Sequence, residues 1–320
     1  MKRRTLLATV ATVAAALASR TLGYAQTESG AATPAAEGGD DMDQSTPRTG
    51  YAPVHGLNMY YEIHGANQTG TPVLLLHGAF QSTGTMGPIL PGLAATRQVI
   101  VPDLQAHGRT ADVDRPLTYE GLGDAAAALL GHLGVAKADF VGYSMGGSAA
   151  LQAAIRHPEV VRKLVSISCS HTLHGAQPVL LDMAPNMSPE MFAGTPMLSE
   201  YEAIAPNPAD FPRLVEQIKG LDSNPFDWSA DVQGITAPTM IIIGDADAIQ
   251  AESAVELFRL LGGGGMGDLS GLSKARLAIL PGTTHFIPPG FGMLDRTDWL
   301  LAMIPAFLDE AEAEAATPTP

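Results

Sequence analysis

Six short apolar runs, at residues 73–76, 99–101, 140–141, 164–167, 240–243 and 277–280, interrupted only by Ser166, alternate with longer helical stretches, and this alternation constrains the fold more than any other feature. Alternate side chains of a strand leave opposite faces, so a strand written almost entirely in apolar residues has no side meant for water. Such strands belong inside a parallel sheet, and parallel neighbours need a crossover helix between them. Spacing and end signals predict helices at 118–133 with Thr118 as N-cap, at 148–156 stopped by His157-Pro158, at 251–261 stopped by Gly262, and at 297–313. Upstream, Leu57, Met59, Tyr61 and Ile63 alternate on one face of a strand that His55-Gly56 folds back onto a strand at 51–54. The expectation is an α/β architecture with a mostly parallel central sheet flanked on both faces by helices.

One interval breaks the rhythm. Residues 169–233 contain eight prolines and short helical groups such as Phe211-Pro212-Arg213-Leu214-Val215, but no convincing strand. This predicts a helical lid, inserted before the strand at 240–243 and lying over one end of the sheet. The core is then 51–168 together with 234–314. Residues 26–50 and the tail 315–320 lack the large apolar side chains that offset the entropy of ordering, so a disordered linker and a disordered tail are expected. The glycines at 262–265 read as a flexible loop and not a phosphate cradle, since no strand precedes them and no Lys follows at the required spacing.

The first 25 residues have the layout of an export signal: Lys2-Arg3-Arg4, an Ala-rich apolar run from 6 to 18, then small residues at Gly23 and Ala25. Arg3-Arg4-Thr5-Leu6-Leu7 is also similar to a twin-arginine signal, with Lys2 where Ser or Thr is usual. An exported protein, periplasmic or extracellular, is therefore expected. No other stretch approaches the roughly 20 apolar residues of a spanning helix, so the mature chain is expected to hold no integral membrane span. Eighteen Lys and Arg against 33 Asp and Glu give a net charge of −15, which argues against nucleic acid as a partner. One cysteine, Cys169, rules out an internal disulfide and any multi-cysteine metal centre.

The strongest chemical signal is Gly142-Tyr143-Ser144-Met145-Gly146, set directly after the apolar Phe140-Val141 and directly before a helix. A turn that tight between strand and helix leaves no room for side chains two residues before and two after the serine. With this motif the chain resembles the α/β-hydrolases, over most of its length from about Tyr51 to Ala313. Two further segments carry the resemblance: His77-Gly78-Ala79-Phe80 after the run at 73–76, and Pro102-Asp103-Leu104-Gln105-Ala106-His107-Gly108-Arg109-Thr110 after the next strand. The latter departs from the family in having Ala106 where Gly is usual and Thr110 where Ser is.

The resemblance implies a chain order of Ser, acid, His. In Gly244-Asp245-Ala246-Asp247 the family pattern falls on Asp247, with Asp245 as a local rival, and in Pro281-Gly282-Thr283-Thr284-His285-Phe286 the base is His285. Ser144 would be the nucleophile, His285 the general base and acid, and Asp247 the group that orients the imidazole. The backbone N–H groups of Met145 and, by the family match, Ala79 would form the oxyanion hole. Phe80, Tyr143, Met183 and Phe286 are expected to line the substrate pocket, with Met187, Met191, Met197, Phe192, Phe211 and Trp228 as further candidates. His77 and His107 read as structural groups in loops beside the site. Cys169, His171 and His174 form a cluster without a fourth ligand, so no metal is expected, and the family's chemistry needs no cofactor.

The reaction expected is hydrolysis of a carboxylic ester or lactone, with an apolar portion, through an acyl-serine intermediate. Ser144, where epoxide hydrolases and dehalogenases have Asp, argues against those two. A perhydrolase or haloperoxidase-like enzyme and a carbon–carbon bond hydrolase share the triad and stay open alongside it. So does a receptor-like ligand-binding homologue, because fold does not fix function. Oligomeric state is not legible in the sequence.

Overall fold

The computed structural model describes residues 46–286 and 289–311. The segment read as an export signal and the tail at 315–320 lie outside the described residues. Eight strands form one sheet: β1 (Arg48–Val54), β2 (Leu57–His64), β3 (Val73–Leu76), β4 (Val99–Pro102), β5 (Ala138–Tyr143), β6 (Val161–Ile167), β7 (Thr239–Ala246) and β8 (Ala275–Thr284). Their spatial order is β1-β2-β4-β3-β5-β6-β7-β8. The β1–β2 and β2–β4 pairs are antiparallel and all the others are parallel. β1 takes in Arg48, Thr49 and Gly50, three residues that the sequence reading gave to the linker, because they pair in register with Ile63, Glu62 and Tyr61. The hairpin turn is the expected His55-Gly56, with φ of 48° and 80°, the left-handed pair that suits a two-residue connection.

Helices α1 (Ile89–Ala94), α2 (Tyr119–His132) and α3 (Met145–Arg156) precede the long insertion. The insertion contributes α4 (Pro178–Met183), α5 (Pro196–Ile204) and α6 (Phe211–Ser223), with short 3₁₀ turns between them and none of the eight strands. After it come α7 (Ala251–Leu260), the single turn α8 (Gly267–Ser270) and α9 (Thr297–Asp309). Thr118 caps α2 as expected, its hydroxyl accepting from Gly121 N–H at 3.0 Å. α3 starts at Met145 and not at 148, since the chain turns into the helix directly after Ser144.

Each apolar run serves two cores at once. Leu74, Leu76, Phe140, Ile241 and Ile243 pack under α2, α3 and α7, while Val73, Leu75, Val141, Ile242 and Leu280 pack under α1 and α9. This is why the runs carry no polar alternation. On the second face the buried Lys163 of β6 donates to the carbonyls of Phe307 and Glu310 at 2.8 and 2.6 Å and so closes the end of α9.

The chain leaves β3 for β4 on one side and returns to β5 on the other. The point where connections diverge in this way opens a crevice at the carboxyl edge of a parallel sheet. Leu76 of β3 is in register with Gly142 of β5, so the loop after β3 and the turn after β5 emerge side by side there. A Cβ on Gly146 would overlap the carbonyl oxygens of Leu76 and His77. The Gly146→Ala variant should therefore lose about 3 kcal/mol, at the upper end of the cost of overpacking. Gly131, in α2, has nothing within 4 Å of the equivalent position. Gly131→Ala should gain about 0.5–1 kcal/mol from helix propensity. Thermal melts of the two variants check the pair, and a Gly146→Ala protein as stable as the parent would contradict the close approach.

Candidate active site

Ser144 follows β5 and holds φ 54° and ψ −120°, a conformation costly for a residue with a side chain. It lifts the hydroxyl clear of both strand and helix. Asp247 follows β7 by one residue and His285 follows β8 by one residue, so three strand ends bring the three groups to one edge. Ser144 Oγ lies 2.9 Å from His285 Nε2, and His285 Nδ1 lies 2.7 Å from Asp247 Oδ1. An ionised carboxylate only accepts, so Nδ1 carries the proton and Nε2 is left to accept from the serine hydroxyl.

Asp247 is buried, and burial alone would raise its pKa. The hydrogen bond from His285, its attraction to that ring, and bonds from Ser168 Oγ at 2.6 Å and Ile249 N–H at 3.1 Å outweigh burial and hold the carboxyl below its usual range. Its local rival Asp245 points elsewhere: it is exposed and accepts from Thr283 N–H at 3.2 Å. Tyr143 donates its hydroxyl to the carbonyl of His285 at 2.7 Å, which ties the residue before the serine to the loop that carries the imidazole.

These groups open onto a cavity of about 360 Å³. Its wall includes Phe80, Tyr143, Met183 and Phe286, the four residues expected there from the sequence, together with Met187, Met191 and Met197. Ala79 and Met145 line it beside Ser144. Met145 is the first residue of α3 and has no intrahelical acceptor for its N–H, and the Ala79 N–H donates to no described residue. Phe80 combines a left-handed φ of 58° with ring packing against Phe192 at 4.5 Å, which anchors the 77–80 loop to the insertion. Phe192, Phe211 and Trp228 sit behind the wall and not on it.

The other histidines do not join this chain. His77 donates from Nδ1 to Gly78 O at 2.8 Å and accepts Leu104 N–H on Nε2 at 3.0 Å, and burial lowers it to about 4. Burial, with His77 beside it, lowers His107 to about 3. Both rings are neutral struts between the 77–80 and 103–110 loops. Ala106, the departure from the resembling pattern, sits at φ 66°, where a glycine would be unstrained. Cys169 is buried with its thiol pushed up to about 11, chiefly by burial, and His171 is buried as well. Among the described residues no group of three or more His, Cys, Asp or Glu could hold a metal ion.

Sequence reading missed three side chains of this site. Ser168 directly follows β6, where the sequence draws attention to the neighbouring Cys169 instead, and its φ of 52° turns its hydroxyl onto Asp247. Asp222 and Tyr119 also line the cavity. Burial pushes the Asp222 carboxyl up to about 6, partly offset by His285, and burial followed by the charge of Asp222 pushes the Tyr119 phenol well above its usual range.

Because the native Asp247 value is depressed, its stabilising contribution is complete above about pH 4 and is lost as the pH falls through that depressed value. Ser168→Ala removes one of its charge-assisted donors and should cost about 2 kcal/mol at neutral pH, with the deficit shrinking on acidification. Chemical denaturation at pH 7 and near pH 3 measures this, and a deficit that grows on acidification would contradict the assigned bond.

A family model described as alpha/beta hydrolase fold matches residues 71–288. The dihydrolipoyllysine-residue acetyltransferase component of the acetoin cleaving system of Pseudomonas putida is 38% identical over 134 residues, 42% of this chain and 35% of that protein. The sn-1-specific diacylglycerol lipase ABHD11 of Danio rerio is 30% identical over 141 residues, 43% of this chain and 41% of that one. The chain thus spans well under half the length of these curated relatives. Among solved structures, the enol-lactonase from Burkholderia xenovorans LB400 superimposes with a TM-score of 0.61 at 19% identity, covering 81% of this chain and 100% of that one.

Proposed function

Since the chain belongs to the α/β hydrolase fold family, we propose that it is a serine hydrolase that cleaves a carboxylic ester or lactone through an acyl-Ser144 intermediate. The observation that carries this reading is the unbroken hydrogen-bonded chain from Ser144 through His285 to Asp247, at 2.9 and 2.7 Å, opening onto an apolar cavity. An ordinary surface serine is a weak nucleophile, and a neutral imidazole held against it is what makes proton removal possible as the C–O bond forms.

In the first half-reaction Ser144 Oγ attacks the ester carbonyl carbon while His285 Nε2 takes the hydroxyl proton. Asp247 stabilises the imidazolium so formed and keeps the ring in the tautomer that accepts. Negative charge collects on the former carbonyl oxygen, next to the N–H groups of Ala79 and Met145, each worth on the order of 3 kcal/mol in such a role. The C–O bond to the leaving group then breaks, His285 returns its proton to the departing alkoxide, and the acyl group stays on Ser144. Water repeats the sequence: it loses a proton to His285, adds to the acyl carbon, and releases the carboxylic acid and the serine.

The cavity wall supports an apolar portion of the substrate. Met183, Met187, Met191 and Met197 are unbranched and polarizable, suited to irregular alkyl or acyl chains. The insertion that supplies them acts in this reading as a lid. The layout of residues 1–25 adds export to the reading, and among the described residues no helix is long and apolar enough to cross a membrane.

The test is turnover of p-nitrophenyl acetate and butyrate together with labelling by a fluorophosphonate probe. Wild-type protein should be labelled on Ser144, and Ser144→Ala should lose labelling and at least about 10³-fold in kcat. Equal turnover in the two proteins, with no labelled serine, would overturn the acyl-enzyme reading.

A further inference from the structure

The cavity wall holds two polar groups that the hydrolytic machinery does not use. Most other polar side chains on the wall are already engaged: Ser168 on Asp247, Tyr143 on the carbonyl of His285, Ser170 on Ser253 at 2.8 Å, and Gln81 on the N–H of Gly78 at 2.9 Å. The Asp222 carboxylate and the Tyr119 hydroxyl are different, since neither makes a hydrogen bond with any described residue. Both residues keep intermediate exposure while lining the cavity, so their free polar atoms are open to whatever fills it.

Asp222 is out of place by sequence pattern. The buried stripe of α6 runs through Phe211, Leu214, Val215, Ile218 and Leu221, and position 222 stands one turn beyond Ile218 on the same side. A carboxylate at an inward position is costly unless it is paired. Aromatic rings cluster at Tyr119, which meets Phe226 edge-on at 5.3 Å and Trp228 at 5.4 Å, and Phe226 stacks on Trp228 at 4.5 Å. Tyr119 and Phe226 themselves reach the cavity surface, and no Lys or Arg is among the described lining residues.

We propose that Asp222, with the rings of Tyr119 and Phe226, binds an organic ammonium group, so that the ester or lactone taken by this site carries a protonated or quaternary amine. The substrate class rests on the serine hydrolase reading above. Three other ligand classes fit this wall less well. A carboxylate of the substrate would meet Asp222 and no cation. A purely alkyl group would leave Asp222 unpaired in an apolar wall. An ammonium ion satisfies the carboxylate by charge and the aromatic rings by cation–π attraction, and aromatic walls with one acid best suit the diffuse, weakly hydrated charge of a quaternary amine. A divalent metal ion would need more oxygen ligands than these two groups offer.

Two measurements on the full chain test this. The first is calorimetric binding of hexyltrimethylammonium chloride, which does not depend on turnover. Wild-type protein should bind it, Asp222→Asn should bind at least about tenfold more weakly, and Phe226→Leu, which keeps apolar bulk and loses the ring, severalfold more weakly. Asp222→Glu should recover part of the affinity, which separates charge from a failure of Asp222→Asn to fold, and thermal melts check each variant. The second is the ratio of kcat/KM for butyrylthiocholine to that for its uncharged isostere S-(3,3-dimethylbutyl) thiobutyrate. It should be about tenfold or more in the wild type and fall towards unity in Asp222→Asn.

Absence of binding to the wild type, or equal binding by wild type and Asp222→Asn, would overturn the proposal. So would an equal effect of Asp222→Asn on the charged and uncharged thioesters, the result expected of a neutral hydrogen-bonding group. Failure of the hydrolase reading looks different: no fluorophosphonate label on Ser144 and no thioester turnover, with the calorimetric result still reporting on the ammonium site.

Discussion

The contact on which the site depends is the approach of the β5–α3 turn to the end of β3. It is made of backbone on both sides: Gly146 against the carbonyl oxygens of Leu76 and His77, and Gly142 against that of Gly146 itself. Ser144 between them holds a φ of 54°, a local cost of about 1–3 kcal/mol that persists only where surrounding structure imposes it. The surrounding structure here is a parallel pair in register, Leu76 with Gly142, locked under two helices. Two consequences follow from one geometry. The serine hydroxyl is raised above the edge of the sheet, and the N–H groups of Met145 and Ala79 are left without internal acceptors.

Charge at this edge is controlled by burial and hydrogen bonding in opposite proportions. His77 and His107 are buried with one or two backbone bonds each, too few to hold a proton, and stay neutral. Asp247 is buried as well, but Ser168, Ile249 and His285 all donate to it, and it stays ionised. The same physical penalty thus gives two neutral struts and one fixed anion, because donors offset it for the carboxylate while neither imidazole meets acceptors enough to hold a second proton. A fixed anion facing one nitrogen of His285 determines what the other nitrogen can do, and that nitrogen faces Ser144.

Much of this was legible because the signals were two-sided. A run such as 73–76 reads as a buried strand since Leu74 and Leu76 face one core and Val73 and Leu75 the other, and no residue in it could be polar. Ser144, Asp247 and His285 were legible since each directly follows such a run. α1 was not read, because Pro88, Pro91 and Gly92 break the helical pattern, although Ile89, Leu90 and Leu93 carry its buried face. β8 outruns its apolar residues to include Pro281, Gly282, Thr283 and Thr284, held by pairing with β7 and by Asp245, long-range contacts that no local pattern reports. Ser168 and Asp222 belong to the same class. A serine after a strand or an acid on a helix is common in any sequence, and only the fold shows that one faces Asp247 and the other a cavity.

The division between sheet and insertion separates chemistry from selection. The groups that would make and break bonds hang from β3, β5, β7 and β8, whose positions are fixed by pairing and two cores. Met183, Met187, Met191, Met197, Asp222 and Phe226 come from the insertion, whose early helices α4 and α5 bury no side chain fully. The two parts are coupled where Phe80 packs on Phe192 and where Glu200 of α5 accepts from Ser82, both on the segment that follows His77 and Gly78. Burial of the Glu200 carboxyl raises its pKa despite the Ser82 bond, so this coupling joins a loosely buried helix to the loop carrying the Ala79 N–H. A change in the insertion can thus alter which molecule fills the cavity while the Ser144–His285–Asp247 geometry, held by the sheet, stays as it is. It reaches the reaction through the loop that carries the Ala79 N–H and through the charge of Asp222, which interacts with His285.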